Sequence, residues 1–165
     1  MRKQAIFLNG PIGVGKSSLG RALAEALGGS FIDGDDHADP GLAWYRSSLR
    51  TSRAIVRATL TALASRPVVV IAYPVRRSGW VFYRRKFAEA GVRVLFVGLS
   101  ASYEQIVAAG RGRSFSTAER ARIKIMIDEG YGRQGFNDRR IDVGGRPFAA
   151  VLQGLRATVA QLLAS

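Results

Sequence analysis

Residues Gly10 to Ser17, G-P-I-G-V-G-K-S, constrain this chain more than any other segment, because they fill every fixed position of the pattern G-x-x-x-x-G-K-[ST]. The apolar run Ala5 to Leu8 predicts a strand entering the loop, and the Ala- and Leu-rich stretch Ser17 to Leu27, stopped by Gly28-Gly29, predicts a helix leaving it. Strand, glycine loop and helix in that order aim backbone N–H groups and the positive end of the helix at one point, a cradle for phosphate oxygens. Gly10, Gly13 and Gly15 permit close approach of the backbone, Pro11, Ile12 and Val14 complete the loop, and Ser18 follows it. Lys16 is expected to neutralise the β- and γ-phosphates of a nucleoside triphosphate and to act in catalysis, and the Ser17 hydroxyl to complete a Mg²⁺ shell. ATP and Mg²⁺ are therefore the expected ligands.

Downstream, apolar runs recur at Ser30 to Ile32, Val68 to Ala72, Val92 to Val97 and Arg140 to Val143, separated by segments of helical periodicity such as Thr51 to Ser65 and Arg146 to Leu163. Runs as apolar as V-V-V-I-A and V-L-F-V suit strands covered by helices on both faces. The expected fold is therefore α/β, three layers around a five-stranded parallel sheet, with ligands beyond the carboxyl ends of the strands. A length of 165 residues suits one domain. No run approaches the ~18 consecutive apolar residues of a membrane span, so no membrane partner is expected. With no cysteine the chain has no disulfide or thiolate site, which fits a cytoplasmic setting. A monomer and a homodimer are both compatible with the sequence.

Phe31-Ile32-Asp33-Gly34-Asp35-Asp36 gathers three carboxylates at the end of the second strand, the sheet edge where the glycine loop lies. Such crowding is costly without a cation. One carboxylate can hold Mg²⁺ through its waters while a second accepts the proton of an attacking hydroxyl, the division of labour that phosphoryl transfer requires. Asp33 is assigned to Mg²⁺ and Asp35 to the acceptor hydroxyl. His37, the single histidine, is read as a loop residue with a possible substrate contact.

The formal charge of +13, from 25 Lys plus Arg against 12 Asp plus Glu, favours anionic ligands. Gly110-Arg111-Gly112-Arg113 has the composition of a mobile lid, spanning about 110–118, from which Arg111 or Arg113 reaches the bound nucleotide and the transferring phosphoryl. Arg53 and Arg57 share a helix face suited to clamping an anion near Asp35, and Arg76 and Arg77 follow the third strand on the acceptor side. Several guanidinium groups converging on one cleft argue for an anionic substrate. Trp44, Tyr45, Trp80 and Tyr83 are candidates for a pocket wall or for packing between helix and sheet.

On G-P-I-G-V-G-K-S, on F-I-D-G-D-D downstream, and on the late R-G-R-S-F and Y-G-R-Q-G-F-N-D, the sequence resembles the shikimate kinase and gluconate kinase group of small P-loop kinases. The resemblance implies a nucleoside-monophosphate-kinase-like fold with a mobile lid and an ATP-dependent kinase that phosphorylates a hydroxyl of a small anionic or sugar-like molecule. It further implies Asp33 as the Mg²⁺-assisting aspartate, Asp35 as the substrate-hydroxyl aspartate, Arg113 as the catalytic lid arginine, and Arg57 and Arg133 as substrate arginines. The chain departs from both patterns. It carries A-Y-P-V-R-R where shikimate kinases have a glycine triplet, and Arg113-Ser114-Phe115 where gluconate kinases have a histidine-phenylalanine pair. An antibiotic or nucleoside phosphotransferase, a nucleic-acid-binding P-loop protein and a non-catalytic nucleotide-binding regulator stand as the alternatives.

Overall fold

Two-residue alternation along the central strands decides the layering, because successive side chains leave a strand on opposite faces. The structure, a computed structural model, describes residues 2–38, 44–108 and 114–165, with the backbone alone for 44–47. Five strands, β1 (Gln4–Asn9), β2 (Ser30–Asp33), β3 (Val68–Ala72), β4 (Arg93–Ser100) and β5 (Arg139–Asp142), form one sheet in the order β2-β3-β1-β4-β5. Every neighbouring pair is parallel. The described helices are α1 (Lys16–Ala26), α2 (Trp44–Leu63), α3 (Arg77–Glu89), α4 (Tyr103–Val107), α5 (Thr117–Asp128) and α6 (Phe148–Ala164), with a 3₁₀ turn at Gly34–His37.

Ile6 and Leu8 of β1, Val70 of β3 and Val97 of β4 join one core with Leu23 of α1 and Leu155 of α6. The intervening Ala5, Phe7, Val69, Ile71 and Phe96 meet Ile55 of α2 and Phe87 of α3 in a second core on the opposite face. The expected three-layer α/β architecture with a five-stranded parallel sheet is therefore the one observed. No helix among the described residues is long and apolar enough to cross a membrane.

Element boundaries differ where the apolar pattern carries no information. Helix α2 begins at Trp44, well before the expected Thr51, because the added turns pass through Leu49 and Arg50, which are exposed and print no buried stripe on the sequence. Strand β4 continues through Gly98-Leu99-Ser100 beyond the expected end at Val97, and β5 starts one residue earlier than expected. The expected lid, 110–118, lies outside the described residues up to 113.

Phe7 is fully buried, with its ring 4.4 Å from Tyr83, 5.1 Å from Phe96 and 6.3 Å from Phe87. Removing it opens a cavity between β1, α3 and β4. Phe7→Ala is expected to lower unfolding free energy by about 3–5 kcal/mol, read as a drop in the urea midpoint without loss of the cooperative transition.

Candidate active site

The glycine loop is held open by backbone conformation. Gly15, the N-cap of α1, lies in the left-handed region at φ 106°, and no side chain caps the helix and no acidic residue occupies its first turn. The first N–H groups of α1 and the positive end of its dipole are thus left to an anion. Gly13 has φ 81°, and a Cβ there would stand 2.6 Å from the Phe115 ring and 2.8 Å from Ile106. Glycine at this position lets Phe115 and Ile106 rest directly on the loop. Lys16 Nζ donates to the carbonyls of Gly10 at 2.9 Å and Pro11 at 2.7 Å, so the ammonium lies across the loop it serves.

Ser17 and Asp33, paired on sequence grounds as metal-side residues, are in contact: the Ser17 hydroxyl donates to Asp33 Oδ2 at 2.9 Å. Asp33 Oδ1 accepts from the backbone N–H of Asp35 at 3.1 Å, which fixes the turn that presents the Asp35 carboxyl to the same cleft. Solvent reaches Asp35, yet the protein surrounding the cleft mouth desolvates its carboxyl. That desolvation, then repulsion from Asp33, raises its pKa above the ordinary 3.8 against the pull of Lys16 and Arg122. The Tyr73 hydroxyl is likewise raised, first by burial and then by the Asp35 charge.

Lys16, Ser17, Asp33 and Asp35 line a cleft of ≈ 980 Å³ at the carboxyl edge of the sheet. Asp35, Pro74 and Arg122 line one part, the loop from Ile12 to Ser18 another, and Val143, Arg146 and Phe148 a third. Arg122 on α5 and Arg146 before α6 are not singled out by any motif above. Ser116-x-x-Glu119 could have located Arg122, because this capping box fixes the start of α5 and hence the turn on which Arg122 stands. Arg146 follows Gly144-Gly145 after β5, with no pattern to separate it from other loop arginines.

The remaining candidates fall elsewhere. Arg53 and Arg57 are exposed on α2, Arg133 is exposed on the turn after α5, and none of them, nor His37, lines the cleft. Tyr83 is buried in the second core with its hydroxyl 3.0 Å from Ser52, so it packs and walls no pocket. Trp80 does wall a separate cavity. Arg111, Arg113 and the side chains of Trp44 and Tyr45 lie outside the described residues.

Behind the loop stands an unexpected buried polar cluster. Asn9, fully buried at the end of β1, donates from Nδ2 to Gln134 Oε1 at 2.9 Å and to Asn137 Oδ1 at 3.2 Å, and its Oδ1 accepts from the Val75 N–H at 2.7 Å. Gln134 Nε2 in turn donates to the Val75 carbonyl at 2.9 Å.

No protein-family model matches the chain. Shikimate kinase of Actinobacillus pleuropneumoniae serotype 5b is 61% identical over 33 residues, 20% of this chain and 19% of that protein. The chain thus matches about a fifth of the length of such curated relatives. A gluconokinase from Sinorhizobium meliloti 1021 superposes with a TM-score of 0.69 at 26% identity, covering 98% of this chain and 95% of that one. The APS kinase CysC of Mycobacterium tuberculosis, in complex with AMPPNP and APS, superposes with a TM-score of 0.68 at 20% identity over 99% of both chains. The fold is that of the P-loop kinases, and the resemblance to the shikimate and gluconate kinase group extends from motif to architecture.

A raised carboxyl pKa has a defined consequence for stability. Between the ordinary and the raised value the folded chain binds the Asp35 proton more tightly than the unfolded chain does, so stability falls as pH rises through that window. Asp35→Asn is therefore expected to melt higher than the wild type at about pH 7, with the difference vanishing below the ordinary aspartate range. Paired denaturation curves across pH check this; equal midpoints at neutral pH would show that the ionised carboxylate carries no penalty.

Proposed function

We propose that this chain is an ATP-dependent phosphotransferase of the shikimate and gluconate kinase kind, moving the γ-phosphoryl group of ATP to a hydroxyl of a small anionic or sugar-like molecule. The observation that carries the reading is the Ser17–Asp33 hydrogen bond beside Asp35 in one cleft with Lys16, which supplies a metal side, an acceptor side and a phosphate cation together. Residues 1–165 act as one kinase domain closed by a lid near 110–118, working where ATP·Mg²⁺ is available in the cytoplasm. The similar proteins, a shikimate kinase, a gluconokinase and an APS kinase, support a hydroxyl acceptor.

Ser17 Oγ and Asp33 Oδ2, two hard oxygen donors 2.9 Å apart beside the phosphate cradle, fit Mg²⁺, with Asp33 acting through the ion's waters. When bound, the ion neutralises charge on the β- and γ-phosphates. Residues Gly10 to Ser18 hold the phosphates through backbone N–H groups and the open end of α1, and Lys16 swings from the Gly10 and Pro11 carbonyls onto the phosphate oxygens. Asp35 accepts the proton as the acceptor oxygen bonds to the γ-phosphorus and the bridge to the β-phosphate breaks, releasing ADP. Its raised pKa brings it nearer the operating range of a general base. Arg122, which lines the cleft and attracts the Asp35 carboxylate, offsets charge on the acceptor side, and Arg111 and Arg113 are the arginines assigned to the expected lid. Arg57 and Arg133 are the family-pattern arginines for the substrate.

Screening small acids, polyols, aminocyclitols and nucleosides for ATP consumption identifies the acceptor and separates this reading from an antibiotic or nucleoside phosphotransferase. Lys16→Ala is expected to abolish transfer and weaken ATP binding, and wild-type turnover in it would end the assignment. Asp35→Asn should keep ATP·Mg²⁺ binding while lowering kcat by a factor on the order of 10² or more. Asp33→Asn should instead raise the Mg²⁺ concentration needed for half-maximal rate.

A further inference from the structure

The Ser17–Asp33 hydrogen bond joins two parts of the chain that follow strands which do not pair with each other. In the sheet order β2-β3-β1, β3 separates the strand that feeds the phosphate loop from the strand that ends in the acidic turn. The segment after β3, Tyr73-Pro74-Val75, spans that gap. The Tyr73 N–H donates to the Leu8 carbonyl of β1 at 3.2 Å, and the Val75 N–H donates to Asn9 Oδ1 at 2.7 Å. Pro74 stands between these two bonds with its φ fixed by the pyrrolidine ring, and it biases the residue before it to extended backbone. The Tyr73 backbone is thus fixed relative to the root of the phosphate loop.

The side chain of Tyr73 lies on the acidic turn. Asp33, the last residue of β2, is in register with Ala72, so Gly34 and Tyr73 leave adjacent strands side by side. Gly34 is buried, and a Cβ placed on it would meet Tyr73 Cδ1 and stand 2.6 Å from Cγ and 2.8 Å from Cβ. Its φ is not in the left-handed region, so glycine here provides room for the tyrosine and not backbone freedom. Tyr73 is itself half-buried and packs against the second core, which restricts the ring from behind. Gly34 separates Asp33 from Asp35, and the bond between those two residues, from the Asp35 N–H to Asp33 Oδ1, is exposed. A net contribution of about 0.5–1.5 kcal/mol is typical of a hydrogen bond when water competes for both partners. Close packing of Tyr73 on Gly34 is the stronger constraint on where the turn lies.

We infer that Tyr73 is a positioning residue of the metal side: its ring, carried on a segment bonded to β1, backs Gly34 and so holds Asp33 in reach of the Ser17 hydroxyl. The inference rests on the kinase reading for the identity of the ion, Mg²⁺, and adds to it a residue that acts only through its neighbours. Asp33 belongs to β2 and Ser17 to α1, and the 2.9 Å between their oxygens depends on how β2 and β1 are held across β3. Tyr73 meets both sides of that gap, β1 through its N–H and the acidic turn through its ring. If the ring is lost, the turn can retreat toward the vacated space and Asp33 with it, while the phosphate loop keeps its own glycines, its lysine and the open end of α1.

Calorimetric titration of the non-hydrolysable nucleotide AMPPNP, in Mg²⁺ and in EDTA, tests this, because the ratio of the two affinities is the gain that the ion brings. Tyr73→Ala should cut that gain roughly tenfold, the scale on which residues that orient metal ligands act, and leave affinity in EDTA at the wild-type value. Tyr73→Phe keeps the ring and should keep the gain. Gly34→Ala, which retains Tyr73 and its core contacts, should lose the gain as well and gives the same reading if Tyr73→Ala does not fold. Adding Tyr73→Gly to Gly34→Ala should cost nothing further or recover part of the loss, since the two side chains compete for one space. The inference is overturned by a full Mg²⁺ gain in Tyr73→Ala, by equal weakening with and without the ion, by a loss in Tyr73→Phe as large as in Tyr73→Ala, by additive losses in the double variant, or by a wild type that gains nothing from Mg²⁺. With an acceptor from the screen, Tyr73→Ala should also raise the Mg²⁺ concentration for half-maximal rate, and Tyr73→Phe should not. A ring-dependent Mg²⁺ gain with no acceptor phosphorylated leaves the positioning role and ends the kinase reading; turnover with a wild-type Mg²⁺ requirement in Tyr73→Ala leaves the kinase and ends the positioning role.

Discussion

One buried amide organises the functional edge of this molecule. Asn9 ends the central strand β1 immediately before the phosphate loop, and its side chain is wholly out of water. A buried amide left without partners costs about 1–3 kcal/mol, so Asn9 holds the groups that satisfy it as firmly as they hold it. Those groups come from Val75 after β3 and from Gln134 and Asn137 before β5. The root of the phosphate loop, the strand end leading to Arg76 and the turn carrying Tyr131 are thereby fixed relative to one another. Close packing is also required. Gly98 of β4 leaves room for Gly132, itself at φ 86°, and a Cβ on Gly98 would reach within 2.9 Å of Asn137 Nδ2.

Within the cleft, function and stability pull in different directions. Asp33 and Asp35 sit side by side at a strand end, where the protein around them disfavours charge on Asp35. A chain selected for stability alone would avoid this. The metal ion and reacting hydroxyl proposed for this cleft would relieve it, and strain of this sort tends to concentrate at sites that do chemistry.

The sheet was readable from the sequence because its central strands are continuously apolar, and V-V-V-I-A matches β3 from its first residue to its last. The phosphate loop was readable because its chemistry is local: one loop supplies glycines, lysine and serine within a few residues. Pairing of Ser17 with Asp33 was also legible, since Ser17 follows β1 through the glycine loop and Asp33 ends β2 at the same edge. The rest depends on long-range packing. Arg122 is one arginine among many until α5 turns it into the cleft, and Asn9, Gln134 and Asn137 are ordinary polar residues until the end of β1 and the turn before β5 bring them together. Tyr83, an aromatic of the kind that lines pockets, is instead drawn into the core beside Phe7.

The outer strand β5 carries a consequence for the whole surface. Its sequence is Arg139-Arg140-Ile141-Asp142, and both arginines are exposed at the open edge of the sheet. Arg139 Nη1 donates to the Asp138 carbonyl at 2.8 Å, keeping that guanidinium close to the backbone. A strand from another molecule seeking the unpaired backbone of this edge would have to bring its own chain past adjacent positive charges, and a second copy paired in register would set like charges together. Part of the excess of basic residues therefore acts as a barrier to sheet-to-sheet aggregation, and the net charge of +13 needs no polyanionic partner to account for all of it.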